Sequence, residues 1–143
     1  MRGVGDAIGR CAAVIAALGW MAALSVVDIR QRRLPNVLTL PGAVVILVVA
    51  TACGRGVPAV VGAVALGGAY LVVHLVAPAA MGAGDVKLAL GLGALTAALG
   101  VDVWALAALG APLVTVVWAV VARLRTVPHG PSMCLATLLA CLL

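Results

Sequence analysis

Scarcity of charge is the feature that most constrains this chain. Only 9% of its 143 residues are Asp, Glu, Lys or Arg, while 66% are apolar. A soluble domain carries about 25% charged residues. This chain cannot clothe a water-facing surface, which excludes a soluble enzyme and a nucleic-acid-binding domain. The apolar residues also fall into six runs, over 11–27, 37–53, 57–79, 86–100, 103–122 and 131–143. A membrane helix takes about 20 residues, so six would use ~120 and leave ~23 for all loops. The expectation is an all-α polytopic membrane protein, one domain over 1–143, built as a bundle of about six transmembrane helices.

The breaks between runs carry the remaining information. Arg2 and Arg10 ahead of the first run imitate a signal peptide. The charged block Asp28-Ile29-Arg30-Gln31-Arg32-Arg33 after it would resist export, so the first helix is read as retained. Pro35-Asn36 opens the second run, and Pro41-Gly42 is placed to kink it. Gly54-Arg55-Gly56 is a tight turn, and 78–84 is a break rich in Pro, Ala and Gly. The last run reaches only ~20 Å at ~1.5 Å per residue, which leaves open whether it spans.

Loops 28–36, 80–87 and 123–130 hold Arg30, Arg32, Arg33, Lys87, Arg123 and Arg125, whereas Arg2, Arg10 and Arg55 fall on the other side. The bias puts the first set in the cytoplasm. Cys11, Cys53, Cys134 and Cys141 form no CxxC and are read as small buried apolar side chains. Ala63 and Gly67, and Gly93 and Ala97, are spaced one turn apart, as at close helix contacts in lipid.

Glu is absent, and the acids are Asp6, Asp28, Asp85 and Asp102. Asp28 is placed at the end of the first helix and Asp85 at the start of the fourth. Two runs lie between them, so both face the same edge of the bilayer. Ionisable groups at such depth are costly and mark function. Two carboxylates brought together share a proton, and such a pair can activate water and protonate a leaving group. Gly82 and Gly84 beside Asp85 are expected to permit φ > 0 and a close substrate approach. Taken alone, Asp85 reads more readily as a helix cap; its pairing with Asp28 in a chain of four acids favours the functional reading. The helix dipole disfavours an anion at the C-terminal position of Asp28 and favours one at Asp85.

At this point the chain resembles a known family. Gly82-Ala83-Gly84-Asp85-Val86-Lys87 is similar to the GxGDxK signature of type IV prepilin peptidases, which are intramembrane aspartic proteases. Asp28 followed by Pro35-Asn36 resembles that family's other catalytic segment. Arg125-Thr126-Val127-Pro128-His129-Gly130-Pro131 resembles its late Pro-x-Gly-Pro segment, with His129 where Phe is usual. The resemblance is to a short form lacking the N-terminal cytoplasmic domain and its paired cysteines. It implies catalytic roles for Asp28 and Asp85, with Gly82, Gly84, Lys87, Pro35 and Asn36 supporting or binding substrate. It also implies a pilin-like precursor as substrate, cut at its short basic leader on the cytoplasmic face of the cell membrane.

Other residues rank lower. His74 follows Tyr70 by one turn in the third run, and a hydrogen bond inside the bundle accounts for it. Lys87 points away from Asp85 on a helix and either snorkels to headgroups or tunes the pair. Arg30, Arg32 and Arg33 are read as setting topology. Asp6 and Asp102 fall on the outer side. No metal spacing or nucleophile pattern is present, so no metal and no cofactor are expected. N-methyltransferase activity is not expected either, since neither of the longer cytoplasmic loops, 28–36 and 123–130, offers an acid other than Asp28 for ribose hydroxyls. The competing reading is a non-enzymatic small membrane protein, a transporter or an assembly subunit. A proton-coupled transporter would be expected to place an acid near the bilayer midplane, and none of the four acids lies there.

Overall fold

Apolar runs bounded by Pro and Gly become helices, as the pattern requires. The computed structural model describes residues 2–143, with the side chains of residues 2–8 and 10 outside that description. The readings of Arg2, Asp6 and Arg10 therefore lie outside the described residues. Six helices follow in order: α1 (Arg2–Gln31), α2 (Asn36–Ala52), α3 (Gly56–Val76), α4 (Ala83–Leu99), α5 (Val101–Val121) and α6 (His129–Leu142). There is no strand among the described residues.

Cys11–Gln31 of α1, together with α3 and α5, is long and apolar enough to cross a membrane. Helices α2 and α6 are apolar but shorter, and α4 has 17 residues. The outside of the bundle is apolar: Ile15, Val48, Val64, Leu109 and Val120 are all exposed. In water such a surface would be an aggregation hazard; against lipid it is ordinary. This is a membrane protein. Three of the four cysteines, Cys11, Cys53 and Cys141, are on that outer surface and only Cys134 is buried. The expectation of four buried cysteines was wrong for three of them, because in lipid an apolar side chain gains little by turning inward.

The helices pack as two halves. Helices α2, α3 and α4 form one, with α3 against α4 the tightest pair in the molecule; α1, α5 and α6 form the other, with α5 against α6. Small residues explain the first pairing. A Cβ on Gly93 would sit 2.5 Å from the Gly62 carbonyl oxygen, and a Cβ on Gly67 would collide with Leu90. The close contact inferred from Gly67, Gly93 and Ala97 is present, with Gly62 at its centre. Trp20 of α1 then wedges into the first half. Its ring occupies the space a Cβ on Gly42 would need, and its indole N–H donates to the Leu38 carbonyl at 2.8 Å.

Several boundaries differ from the sequence reading. Asp28 is not the last residue of its helix, since α1 continues to Gln31 and stops where Arg32 turns left-handed at φ 49°. Helix α3 ends at Val76, short of Pro78, which disfavours helical backbone in the residue before it. Helix α6 starts at His129, so His129 and Gly130 belong to its first turn and not to the preceding loop. Pro131 in that same turn costs nothing, because the first N–H groups of a helix have no internal partner.

Candidate active site

Three inter-helix segments, α1–α2, α3–α4 and α5–α6, meet at one end of the bundle. Arg32 donates to the Thr126 hydroxyl at 3.1 Å, joining the first to the third. Lys87 at the start of α4 donates to the Asn36 side-chain oxygen at 2.6 Å. Between them lies a cavity of about 380 Å³, whose lining includes Asp28, Arg32, Leu34, Gly84 and Asp85. The two acids singled out in the sequence are thus brought to one cavity, although they come from different halves.

Each carboxylate is held by a backbone N–H. Asp85 is the third residue of α4, and its Oδ2 accepts from Gly82 N–H at 3.2 Å, one arm of a capping box. Asp28 Oδ2 accepts from Gly130 N–H at 3.1 Å, from the first turn of α6. That N–H is one of the orphan donors of the helix start. The dipole reading for Asp28 was therefore incomplete: the C-terminal turn of its own helix disfavours an anion, and the N-terminus of α6 favours one.

The glycines act differently from the expectation. Neither Gly82 nor Gly84 is in the left-handed region; among the described glycines only Gly54 is, at φ 73°. Gly82 is extended at φ −75°, ψ 150°, which any residue adopts. Gly84 is needed for packing, since a Cβ there would lie 2.9 Å from Leu34 Cβ. That contact seats the α1–α2 segment on α4. Gly130 is the tightest of the three glycines at the site, because its Cβ would lie 2.6 Å from Asp28 Oδ2.

Pro35 caps the start of α2 and Asn36 is its first residue, so this dipeptide sets where Lys87 finds its partner. His74 donates its Nδ1–H to the Met81 carbonyl at 2.7 Å, fastening the α3–α4 segment just ahead of Gly82. Sequence reasoning missed the roles of four residues, in three places. Arg32 and Arg33 line the cavity, Gly130 holds Asp28, and His129 is bonded to both Tyr70 and Thr115. A Gly two residues after Pro128 was the available signal for the second.

An all-helical membrane protein with two carboxylates in one cavity at the end of its bundle defines a class, a membrane-embedded candidate hydrolase. The comparisons narrow it. Residues 15–143 match the type IV leader peptidase family, and the chain belongs to it. No curated protein and no solved structure matched.

Proposed function

We propose that this leader peptidase is an aspartic endopeptidase and that Asp28 and Asp85 are its catalytic pair. One observation carries the reading: in a chain of this family, the two acids come from separate halves and line the same cavity. One proton shared by the pair leaves one carboxylate to act as base. It takes a proton from water, whose oxygen attacks the scissile carbonyl carbon. The protonated partner then gives its proton to the departing amide nitrogen. Roles are assigned to the pair as a unit, since interacting carboxyls titrate jointly.

The substrate on this reading is a pilin-like precursor, cut after its short basic leader. Leu34, Gly82 and Gly84 line the cavity beside the acids, and Pro35 and Asn36 follow Leu34 in the chain. The orientation follows from charge. Arg30, Arg32, Arg33, Lys87, Arg123 and Arg125 lie at the dyad end, opposite Arg55, which puts the dyad at the cytoplasmic face of the cell membrane. On this reading all six helices lie in the bilayer.

The test is precursor cleavage in membranes, read by mass. Asp28→Asn and Asp85→Asn should each insert normally and cleave nothing; normal processing by either refutes the pair. Orientation is checked in a cysteine-free background. Cysteines introduced at Gln31 and Ala83 should label from one side and one at Gly56 from the other. Labelling of Gln31 and Ala83 from opposite sides would overturn the arrangement.

A further inference from the structure

His129 occupies the first position of α6, and both of its ring nitrogens are engaged. Nδ1 lies 2.6 Å from Thr115 Oγ1 of α5, and Nε2 lies 2.9 Å from the Tyr70 hydroxyl of α3. The direction of each bond follows from counting protons. Thr115 spends its single hydroxyl proton on the Ala111 carbonyl at 2.9 Å. At Nδ1 it can only accept, so Nδ1 carries the hydrogen. Nε2 of the neutral ring is then a bare acceptor, and Tyr70 donates to it. The result is an ordered chain, Tyr70 to His129 to Thr115 to Ala111.

The position of this chain matters more than its length. Tyr70 is buried and belongs to the half that carries Asp85. Thr115 and His129 belong to the half that carries Asp28. The residue after His129 is Gly130, whose N–H holds the Asp28 carboxylate. Helices α3 and α6 are not packing neighbours, so the His129–Tyr70 bond is a strut across the bundle beside the cavity. A helix start is prone to fray, and this one has no side-chain cap, with Pro128 at the cap position. The two bonds to the His129 ring fix this helix start from the side, where Pro128 offers no capping oxygen.

We propose that His129 is a positioning residue of the carboxylate pair, fixing the first turn of α6 so that Gly130 N–H holds Asp28, and tying that turn through Tyr70 to the half that bears Asp85. The proposal rests on the aspartic protease reading above. His129 hydrogen-bonds neither carboxylate among the described residues; it acts through its neighbours. Loss of the strut should lower turnover and leave substrate binding in place, because misplacing a catalytic group by about 1 Å costs up to ~10²-fold.

The experiment compares His129→Phe, which keeps a ring and loses both bonds, with His129→Gln, which keeps one donor and one acceptor. Cleavage of a pilin-like precursor is followed as kcat and KM separately. The expected result is a kcat loss of roughly 10- to 100-fold for His129→Phe at unchanged KM, most of it regained by His129→Gln. Tyr70→Phe should cost nearly as much, and the double variant His129→Phe with Tyr70→Phe no more than the worse single. Equal rates for the Phe and Gln variants, or fully multiplicative losses in the double variant, would overturn the proposal.

Should His129→Phe fail to accumulate, Tyr70→Phe and Thr115→Val decide instead. Each removes one hydroxyl, and wild-type kcat in both would overturn the proposal. A readout independent of cleavage separates this idea from the protease reading. Nitrogen-15 spectra of the His129 ring should show the Nδ1–H tautomer in the wild-type protein. A wild type that cleaves no precursor refutes the protease reading; a His129 ring that exchanges freely between its two tautomers, with neither nitrogen held, refutes the strut.

Discussion

Asp28 and Asp85 reach the same cavity by opposite routes. Asp85 is anchored by Gly82, three residues before it, so its position is settled as soon as α4 starts. Asp28 is anchored by Gly130, 102 residues further on, so its position exists only once α6 has packed against α1. The surrounding halves differ in the same sense. The Asp85 half is drawn together by backbone contact between Gly62 and Gly93. The Asp28 half is joined to it by side chains that reach across, Trp20 to Leu38 and His129 to Tyr70. A short-range anchor tolerates local change; a long-range anchor transmits every packing error to the acid it holds.

The largest expected effect treats the two acids as equals. Asp28→Asn and Asp85→Asn should each lower precursor cleavage by at least ~10³-fold, since neither leaves a pair to share a proton. Unequal losses in a cleavage assay would break the symmetry of the pair. Next, Gly130→Ala should cut cleavage by up to ~10²-fold, because its Cβ would sit 2.6 Å from Asp28 Oδ2 and must push the carboxylate aside. The measurement is kcat at matched protein levels.

The Gly93→Ala variant tests the other half. Its Cβ would meet the Gly62 carbonyl at 2.5 Å, and overpacking of this kind costs about 1–3 kcal/mol, readable as a lowered midpoint of thermal unfolding in detergent. Gly82→Ala should be far milder than Gly130→Ala. Its Cβ would lie 3.5 Å from Asp85 Oδ2, an ordinary contact, and its backbone angles suit alanine. A lost glycine cap costs less than ~1 kcal/mol, which limits the rate change to about fivefold. If Gly82→Ala matched Gly130→Ala, the contrast between short and long anchors would fail. Asp102→Asn, exposed in the first turn of α5 at the far end of the bundle, should change unfolding by no more than ~0.5 kcal/mol and cleavage not at all.

Much of this was legible before any coordinates. Hydrophobic runs fix helices because a backbone in lipid must satisfy its own hydrogen bonds, and Pro and Gly mark where those helices stop. The acids were legible because charge is so rare here that each one stands out, and two helices, an even number of crossings, between Asp28 and Asp85 put both at one end. Boundaries at the site were less legible. The 123–130 segment reads as a loop because proline and glycine flank His129, yet its last two residues begin α6. Gly82 and Gly84 look alike in sequence, and only the neighbours show that one contacts Leu34 and the other supplies an N–H.

Sequence alone determined what is local: six helices, their apolar outer faces, the two candidate carboxylates, and the backbone cap on Asp85. These follow from interactions within a few residues or from partition into lipid, which needs no partner. The tertiary structure decided what depends on contact between distant segments. It put the α6 N-terminus against Asp28, gave Lys87 to Asn36, moved the centre of the α3–α4 contact to Gly62, and set His129 between Tyr70 and Thr115. No local pattern encodes those pairings, because a hydrogen bond across 102 residues exists only in the packed bundle.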